Sequence, residues 1–287
     1  MTFERTGSRH DMAARRARVA RTVRLAPSVV RVTFTGDELS GLPAHGPEDH
    51  VKVFFPDPAT GELHAPRMVD GALQRPTSGV SVSRDYTPRT LRLTANGTEL
   101  DLELVLHGVA HDGAPAGPAS SWAASAAEGD ELVVAGPRGS RGVPAGIDRL
   151  VLVADETAMP AAARWIEQAP DDVALTVILD LADDDADAYV DAPAPDGGPS
   201  PFARASVERL YRADGPGQVD EAVRSLDLSG EATYVWAAGE ATTLIAVRRY
   251  LRHELGLGAE RVKVDGYWKR GVTNRDHHEP LDPSDPD

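Results

Sequence analysis

Cysteine is absent from the 287-residue chain. Without thiolates the protein can form no disulfide, no cysteine-ligated zinc site and no cysteine-ligated iron–sulfur cluster. Any redox chemistry therefore needs a bound organic cofactor or a metal held by other ligands. The absence also suits a reducing compartment, and we expect the protein to be cytoplasmic.

Long apolar runs and excess positive charge are also lacking. No run approaches the ~20 residues of a transmembrane helix, and the N-terminus lacks the apolar centre of a secretory signal. We therefore expect no membrane insertion. The chain carries 45 acidic and 30 basic residues, a formal net charge of −15. Such a surface repels nucleic acid, so no nucleic-acid partner is expected.

Hydrolase motifs are missing as well, since neither G-x-S-x-G nor H-E-x-x-H occurs in the chain. The pair His277-His278 lies beside Asp276 and Glu279 near the C-terminus. We interpret these histidines as surface residues of a disordered tail, and we predict no metal site.

The first half of the chain has the period-two pattern of half-buried antiparallel strands. Apolar and polar residues alternate in four short segments that end at Gly, Pro or Asn: 30–35, 51–55, 91–94 and 100–106. Several such strands in succession predict a barrel or a sandwich.

The second half alternates strands and helices. Apolar runs at 150–154, 173–179 and 234–238 are typical of strands buried on both faces of a parallel sheet. Helical spacing is seen at 158–168, 219–226 and 241–255. This alternation predicts an α/β nucleotide-binding domain. We place a β-barrel domain at 15–145, an α/β domain at 146–275 and an acidic disordered tail at 276–287.

The segment 183–201 is rich in Asp, Ala, Pro and Gly. Its low apolar content predicts a mobile surface loop that does not pack.

The hexapeptide Arg84-Asp85-Tyr86-Thr87-Pro88-Arg89 combines residue types that suit a flavin. Arginine pairs with pyrophosphate through charge-assisted hydrogen bonds, and tyrosine lies flat against a ring system. Two residues apart on a strand, Arg84 and Tyr86 point to the same side. An ordinary strand with a surface arginine is the alternative interpretation of this segment alone.

Small residues follow the strand 100–106 and its end at His107-Gly108. The run Gly117-Pro118-Ala119-Ser120-Ser121-Trp122-Ala123 predicts a helix start, where exposed backbone N–H groups can hold a phosphate. The same run is also common in turns.

Together with three later segments, these motifs resemble the siderophore-interacting protein family, a branch of the ferredoxin-reductase-like flavoenzymes. The later segments are Asp155-Glu156-Thr157-Ala158-Met159-Pro160-Ala161, Gly239-Glu240-Ala241 and Gly266-Tyr267-Trp268-Lys269-Arg270-Gly271. The resemblance covers roughly residues 15 to 273 in order.

The resemblance implies an FAD-dependent reductase of ferric siderophores that uses NADH or NADPH. It implies a barrel that binds FAD, followed by an NAD(P)H-binding domain. The implied flavin contacts are Arg84, Tyr86, Thr87, Arg89, His107, Ala119, Ser120 and Trp122. The second domain is implied to present Asp155, Glu156, Thr157 and Ala158 after its first strand.

No G-x-G-x-x-G follows the strand 150–154, so the usual Rossmann fingerprint is absent. Ferredoxin-reductase-like domains use a different loop there. Asp180, Asp183, Asp184 and Asp185 follow the second strand. Acid near a ribose favours a free 2′-hydroxyl, and hence NADH over NADPH, although a solvated acidic loop gives the same pattern.

An anionic ferric chelate needs basic side chains on this acidic protein. The chain is poor in lysine, and the resemblance implies that Lys52, Lys269 and Arg270 hold the chelate, with Lys263 as a further candidate. Solvated surface charges are the alternative for each of them. We assign no catalytic side chain.

Two other functions remain open from the sequence. The protein could pass electrons to a different acceptor, or it could bind a ferric siderophore without reducing it. A ferredoxin is an alternative electron donor, and we expect a monomer.

Overall fold

A computed structural model describes residues 3–95, 97–106, 116–275 and 279–285. These residues form two compact units. The N-terminal unit comprises residues 7–142 with 195–197, and the C-terminal unit comprises residues 3–6, 143–194 and 198 onward. The division at 142/143 lies close to residue 146, where the sequence pattern changes.

The described part of the N-terminal unit is built from antiparallel strands and one α-helix. Its strands are β1 (Gly7–Arg9), β2 (Ala14–Ala26), β3 (Val29–Thr35), β4 (Val51–Phe55), β5 (Arg67–Val69), β6 (Ala72–Gln74), β7 (Val82–Tyr86), β8 (Pro88–Thr94), β9 (Gly97–Val105), β10 (Glu131–Ala135) and β11 (Gly139–Arg141), and its helix is α1 (Pro118–Ser125). Seven of the strands form one sheet in the order β7-β4-β10-β2-β3-β9-β8.

The two edge strands of this sheet are consecutive in the chain. β7 forms one edge and β8 the other, and Thr87 is the single residue between them. Because both edges meet at Thr87, the sheet curls into a half-barrel, and we call this meeting point the seam. The four strands that the period-two pattern predicts lie within β3, β4, β8 and β9, so the antiparallel barrel is confirmed.

Alternating residues of these strands fill the barrel. Val32, Phe34, Val53, Phe55 and Leu102 are fully buried. β2 escapes prediction because arginine occupies many of its outward positions and only Ala17 and Val19 reach this core. The small side chains on its inward face give too weak an apolar pattern for a sequence-based assignment.

The C-terminal unit is a parallel sheet flanked by helices. Its strands are β12 (Arg149–Asp155), β13 (Ala174–Leu181), β14 (Ser206–Tyr211), β15 (Thr233–Glu240) and β16 (Val262–Trp268), and its helices are α2 (Met159–Gln168), α3 (Asp187–Val190), α4 (Gln218–Ser225) and α5 (Ala241–Arg249). The strand order is β14-β13-β12-β15-β16, and every pair is parallel. The predicted α/β architecture is confirmed.

The helix predicted at 241–255 changes its winding near the end. α5 stops at Arg249, and Tyr250–Glu254 continue as one π-helical turn. This wider turn still buries Leu251, so the apolar face seen in the sequence is retained.

The segment 183–201 differs from the mobile, unpacked loop that its composition predicts. It contains α3, and Ala186, Tyr189 and Val190 are buried. The ring of Tyr189 meets Phe202 at 6.4 Å between centroids. Three apolar side chains of the segment are thus buried, one of them against Phe202, and they anchor a segment that is otherwise mostly polar.

The C-terminal residues 279–285 also differ from the expected disordered tail. Leu281 packs against the apolar cluster that α5 covers. Arg275 donates hydrogen bonds to the carbonyl oxygens of Gly266, Glu279 and Pro280. Asp282 and Asp285 form ion pairs with Arg249 and Arg248. One apolar contact and two ion pairs therefore hold residues 279–285 against the C-terminal unit, although their composition alone predicts disorder.

Among the described residues, no helix is both long and apolar enough to cross a bilayer.

Candidate functional site

The barrel seam places Arg84 and Tyr86 on one side of β7. Cross-strand pairing sets Arg84 opposite Val53 and Tyr86 opposite Val51, two core residues of β4. Paired residues share a face of the sheet. Lys52 and Asp85 pair with each other and therefore point to the other face. Arg84 and Tyr86 therefore lie on the same face of β7, as their spacing in the sequence predicts.

Aromatic rings line the barrel interior behind the seam. The ring of Phe55 meets Tyr86 at 6.1 Å and Trp122 at 5.4 Å between centroids, both edge-on. Trp122 also stacks with Phe34. Burial raises the pKa of the Tyr86 hydroxyl, so this ring stays neutral. Tyr86 and Trp122 are half-buried, with part of each ring accessible.

The start of α1 offers backbone donors close to this strand. Its N-cap is Gly117, which has no side chain to satisfy the first N–H groups, and Pro118 opens the helix. Ala119 and Ser120 are buried in the first turn. α1 contacts β7 as well as β3, β4 and β9. Backbone N–H groups of a helix start, on a helix that contacts the strand of Arg84, fit an anionic diphosphate.

Thr87 and Arg89 lie inside the seam. Both are buried, and the Arg89 Nε lies 3.8 Å from the Glu103 carboxylate. Glu103 is itself held by Arg31. Arg89 is therefore part of the barrel wall, next in the chain to the segment with Arg84 and Tyr86. His107, another predicted contact, lies outside the described residues.

Four carboxylates gather at the carboxyl ends of the parallel strands. Asp155 ends β12 and Glu156 follows it, Asp180 lies near the end of β13, and Glu240 ends β15. All four are buried. Ligands of open α/β sheets bind at this edge. The sequence predicts a role for Asp155, Glu156 and Asp180 here, but none for Glu240.

Asp155 is a buried hydrogen-bond acceptor. Its Oδ1 accepts from the backbone N–H and the hydroxyl of Thr157, at 2.9 and 2.6 Å. Its Oδ2 accepts from Nε1 of Trp268 at 2.7 Å. Burial and the neighbouring Glu156 raise the pKa of Asp155 to about 6, against the hydrogen bonds that favour its charged form.

Glu156 and Asp180 hold Arg212, which follows β14. The Nη2 of Arg212 donates to both Glu156 oxygens at 2.9 Å, and its Nη1 lies 3.5 Å from the Asp180 carboxylate. Burial raises the pKa of Asp180, and Arg212 opposes that shift.

Glu240 caps α5 and reaches the loop after β16. Its Oε2 accepts from the Thr243 N–H at 2.8 Å, and its Oε1 accepts from the Arg270 N–H at 3.1 Å. Burial works against ionisation, but these backbone donors prevail and lower the pKa of Glu240.

The predicted basic residues occupy three different settings. Lys52 forms an ion pair with Asp85 at 2.8 Å and stays 41% exposed. Lys269 and Arg270 lie on an exposed turn after β16. Lys263 is the second residue of β16 and forms an ion pair with Asp265 at 3.0 Å. Lys269 follows six positions later along the chain, about 20 Å away for extended strand, so the structure does not bring these two lysines together.

Two family models match consecutive parts of the chain. Residues 18–141 match the siderophore-interacting FAD-binding domain, and residues 147–271 match the siderophore-interacting protein model. The chain belongs to the siderophore-interacting protein family. The resemblance drawn from the motifs is confirmed.

Relatives in the family match nearly the whole chain. The ferric vibriobactin reductase ViuB of Vibrio cholerae is 30% identical over 89% of this chain and 89% of its own length. The NADPH-dependent ferric-chelate reductase of Escherichia coli is 30% identical over 91% of this chain and 94% of its own. The crystal structure of a siderophore utilization protein from T. fusca has a TM-score of 0.80, at 36% identity, covering 96% of this chain and 100% of that one.

Family membership identifies the cofactor of the barrel as FAD, and the residues present fit it. A guanidinium, a half-buried tyrosine ring and an uncapped helix start meet along β7 and α1. These groups match a diphosphate and a flat ring in chemistry.

Three site residues were not assigned a role from the sequence: Arg212, Glu240 and Trp268. Trp268 and Glu240 stand in motifs that carry the resemblance, so their positions were visible although their partners were not. Arg212 follows a strand with few buried residues, and no sequence signal marked it.

Proposed function

We propose that this protein is an FAD-dependent reductase of ferric siderophores, with NAD(P)H as the electron donor. The observation that carries this proposal is the match to two relatives named as ferric reductases, which covers 89% and 91% of this chain. Both units of the chain take part in that match, the flavin-type barrel and the α/β sheet.

The proposed reaction balances with one nicotinamide donor for two ferric ions. A hydride leaves NAD(P)H as two electrons, each ferric ion takes one, and one proton is released. Bound FAD supplies the conversion of a two-electron donor into single electrons. Siderophore oxygens suit Fe(III) better than the softer Fe(II), so reduction weakens the chelate.

In the barrel, Arg84 is the proposed partner of the FAD pyrophosphate, with the first turn of α1 as its backbone seat. Tyr86 offers its ring, and Thr87 lies next to it at the seam. Ala119 and Ser120 keep the helix start small enough for close approach. We assign Arg89 and Trp122 to the wall around the flavin, Arg89 through Glu103 and Trp122 through Phe55; His107 remains a proposed contact.

In the α/β unit, the carboxyl ends of the strands are the proposed site for the nicotinamide donor. Asp155, Glu156, Thr157 and Ala158 form the turn there. Glu156 and Asp180 surround Arg212 with negative charge, which disfavours a 2′-phosphate. We therefore propose NADH as the preferred donor.

The chelate is the proposed ligand of Lys52, Lys269 and Arg270. Each is exposed enough to meet an anionic ligand. Lys263 lies at the opposite end of β16 from the exposed turn, so we leave it out of the proposed contacts. We propose a cytoplasmic location, since released Fe(II) is used inside the cell. We also propose that the protein is a monomer.

Spectroscopy and rapid mixing test the proposal. Purified protein supplied with FAD should show a bound-flavin spectrum, and anaerobic mixing with NADH should bleach it. Ferric enterobactin added next should restore the spectrum and yield Fe(II), trapped by ferrozine.

Other outcomes identify the alternatives. Bleaching by reduced ferredoxin alone would replace NAD(P)H as the donor. Flavin reduction without Fe(II) from a panel of catecholate, hydroxamate and carboxylate chelates would point to another acceptor. Chelate binding without any flavin reduction would make the protein a binder.

A further inference from the structure

Two buried carboxylates of the sheet edge contact the segment that carries Lys269 and Arg270. Asp155 accepts from the indole of Trp268, the residue before Lys269. Glu240 accepts from the backbone N–H of Arg270. The exposed basic turn is therefore held from below by side chains of β12 and β15.

A bulge in β16 directs Trp268 toward Asp155. Gly239 pairs with Gly266, and Glu240 pairs with Trp268, so Tyr267 is an extra residue on β16. Bulges re-aim side chains and occur next to active sites. Without this extra residue, Trp268 would point to the other face of the sheet.

Gly239 provides the space in which the two side chains meet. Its φ is +153°, a conformation that L side chains rarely adopt. A Cβ at this position would lie 2.7 Å from Oδ2 of Asp155, the oxygen that Trp268 contacts. The glycine of the Gly239-Glu240-Ala241 motif thus permits the Asp155–Trp268 hydrogen bond.

Among the residues that the structure describes, few other contacts fix the turn. Lys269 and Val272 form a single bridge, with the Val272 N–H donating to the Lys269 carbonyl at 3.0 Å. Gly271 closes the turn with φ +76°. Lys269, Arg270 and Gly271 are exposed, so packing does not hold their side chains.

We propose that Asp155 and Glu240 are positioning residues that orient the basic turn Lys269–Gly271 for the anionic chelate. This inference rests on the proposed function, because it takes Lys269 and Arg270 as chelate contacts. Asp155 acts through the Trp268 indole, and Glu240 acts through the Arg270 backbone. Neither carboxylate touches the chelate.

The charge state of Asp155 supports this role. Its pKa near 6 leaves it ionised at neutral pH, where it is the stronger acceptor for Trp268. The groups that face it are Glu156, Thr157, Trp268 and Arg212. A buried carboxylate kept charged against its own desolvation is typical of functional sites.

Binding of a redox-inert chelate measures the effect without turnover. Gallium(III) enterobactin, an anionic tris-catecholate, is titrated calorimetrically into the FAD-loaded protein. We expect Trp268→Phe, Asp155→Asn and Glu240→Gln each to raise its Kd about three- to tenfold, with bound FAD unchanged. Trp268→Phe removes only the indole N–H donor, so it keeps the test valid if a carboxylate variant fails to fold.

Glu260→Gln is the control, because it removes an equal charge from an exposed position just before β16 and leaves Asp155, Glu240 and the turn untouched. Its Kd should stay within about twofold of wild type. The double variant Asp155→Asn/Trp268→Phe should be no weaker than the worse single variant, since both changes break one hydrogen bond.

A pH series separates positioning from general damage. The Kd ratio of Trp268→Phe to wild type should be largest above about pH 7 and should shrink below about pH 6, as Asp155 takes up a proton. A Kd ratio that does not change with pH would overturn the positioning role. Kd values within twofold of wild type for all three variants would also overturn it, provided that Lys269→Ala still weakened binding. Loss of both chelate binding and ferric reduction in the wild type would instead remove the proposed function and this inference with it.

Discussion

Arg212 and Glu156 form a forked ion pair in which one guanidinium nitrogen lies 2.9 Å from both carboxylate oxygens. Asp180 takes the other side of the same guanidinium. The positive charge that could meet a 2′-phosphate is therefore already neutralised at the sheet edge.

Glu156→Gln should shift the donor preference toward NADPH. Without the ion pair, Arg212 gains freedom to bind a 2′-phosphate, and one negative charge is removed. We expect the NADPH-to-NADH ratio of kcat/KM to rise about tenfold, the effect of one charge-assisted hydrogen bond. Initial rates with each donor measure it. Asp183→Asn is the control for charge alone, and an equal shift in that variant would show that Arg212 is not involved.

Arg84→Ala should weaken FAD binding about tenfold to a hundredfold, because it removes a charge-assisted partner of the pyrophosphate. Titration of apoprotein with FAD, followed by flavin fluorescence, gives the Kd. Arg67→Ala removes an exposed arginine of β5 in the same unit and should leave the Kd unchanged. Equal affinities for wild type and Arg84→Ala would rule out the proposed pyrophosphate contact.

Substitutions of Lys52 and Asp85 should change the affinity for the chelate in opposite directions. Lys52→Ala should raise the Kd of gallium(III) enterobactin, because it removes a positive charge. Asp85→Asn should lower that Kd, because it releases Lys52 from its ion pair. Both effects should diminish as salt rises, since exposed charges are screened. Calorimetry at two salt concentrations checks this, and a weaker complex in Asp85→Asn would contradict it.

Asp155 should make stability depend on pH in a specified direction. Its native pKa of about 6 lies above the 3.8 of the unfolded chain, so the native state keeps the proton longer. The stabilisation is present below about pH 4 and is lost as pH rises through about 6, by up to about 3 kcal/mol. The free energy of unfolding of wild type minus that of Asp155→Asn, from urea titrations at several pH values, should fall over this range. A constant difference would mean that Asp155 does not titrate there.

Residues 279–285 should contribute to stability. Ending the chain at residue 278 removes the Leu281 contact and the pairs Arg249–Asp282 and Arg248–Asp285. We expect the free energy of unfolding to fall by about 1–3 kcal/mol, and Leu281→Ala to account for about half. Urea titration measures both, with the exposed Glu279→Gln as control. An unchanged midpoint after truncation would show that the segment contributes nothing.

Local sequence patterns predicted the elements whose burial is regular. Val53 and Phe55 on a barrel strand, and the continuous run around Leu152, follow directly from period-two and doubly buried patterns. β2 lacked that signal because its inward side chains are mostly small. Residues 279–285 lacked it because one leucine and two aspartates fix them through partners more than thirty positions away.

The sequence by itself determined the two-unit plan, the flavin-type face of Arg84 and Tyr86, and family membership, because each is written in local spacing or in ordered motifs. Only the tertiary structure decided which charged side chains are paired with other groups of the protein. It paired Arg212 with Glu156, Lys52 with Asp85 and Trp268 with Asp155, and it set Lys263 apart from Lys269. These pairings depend on strand order and on one bulge, which bring together residues that are distant in the chain.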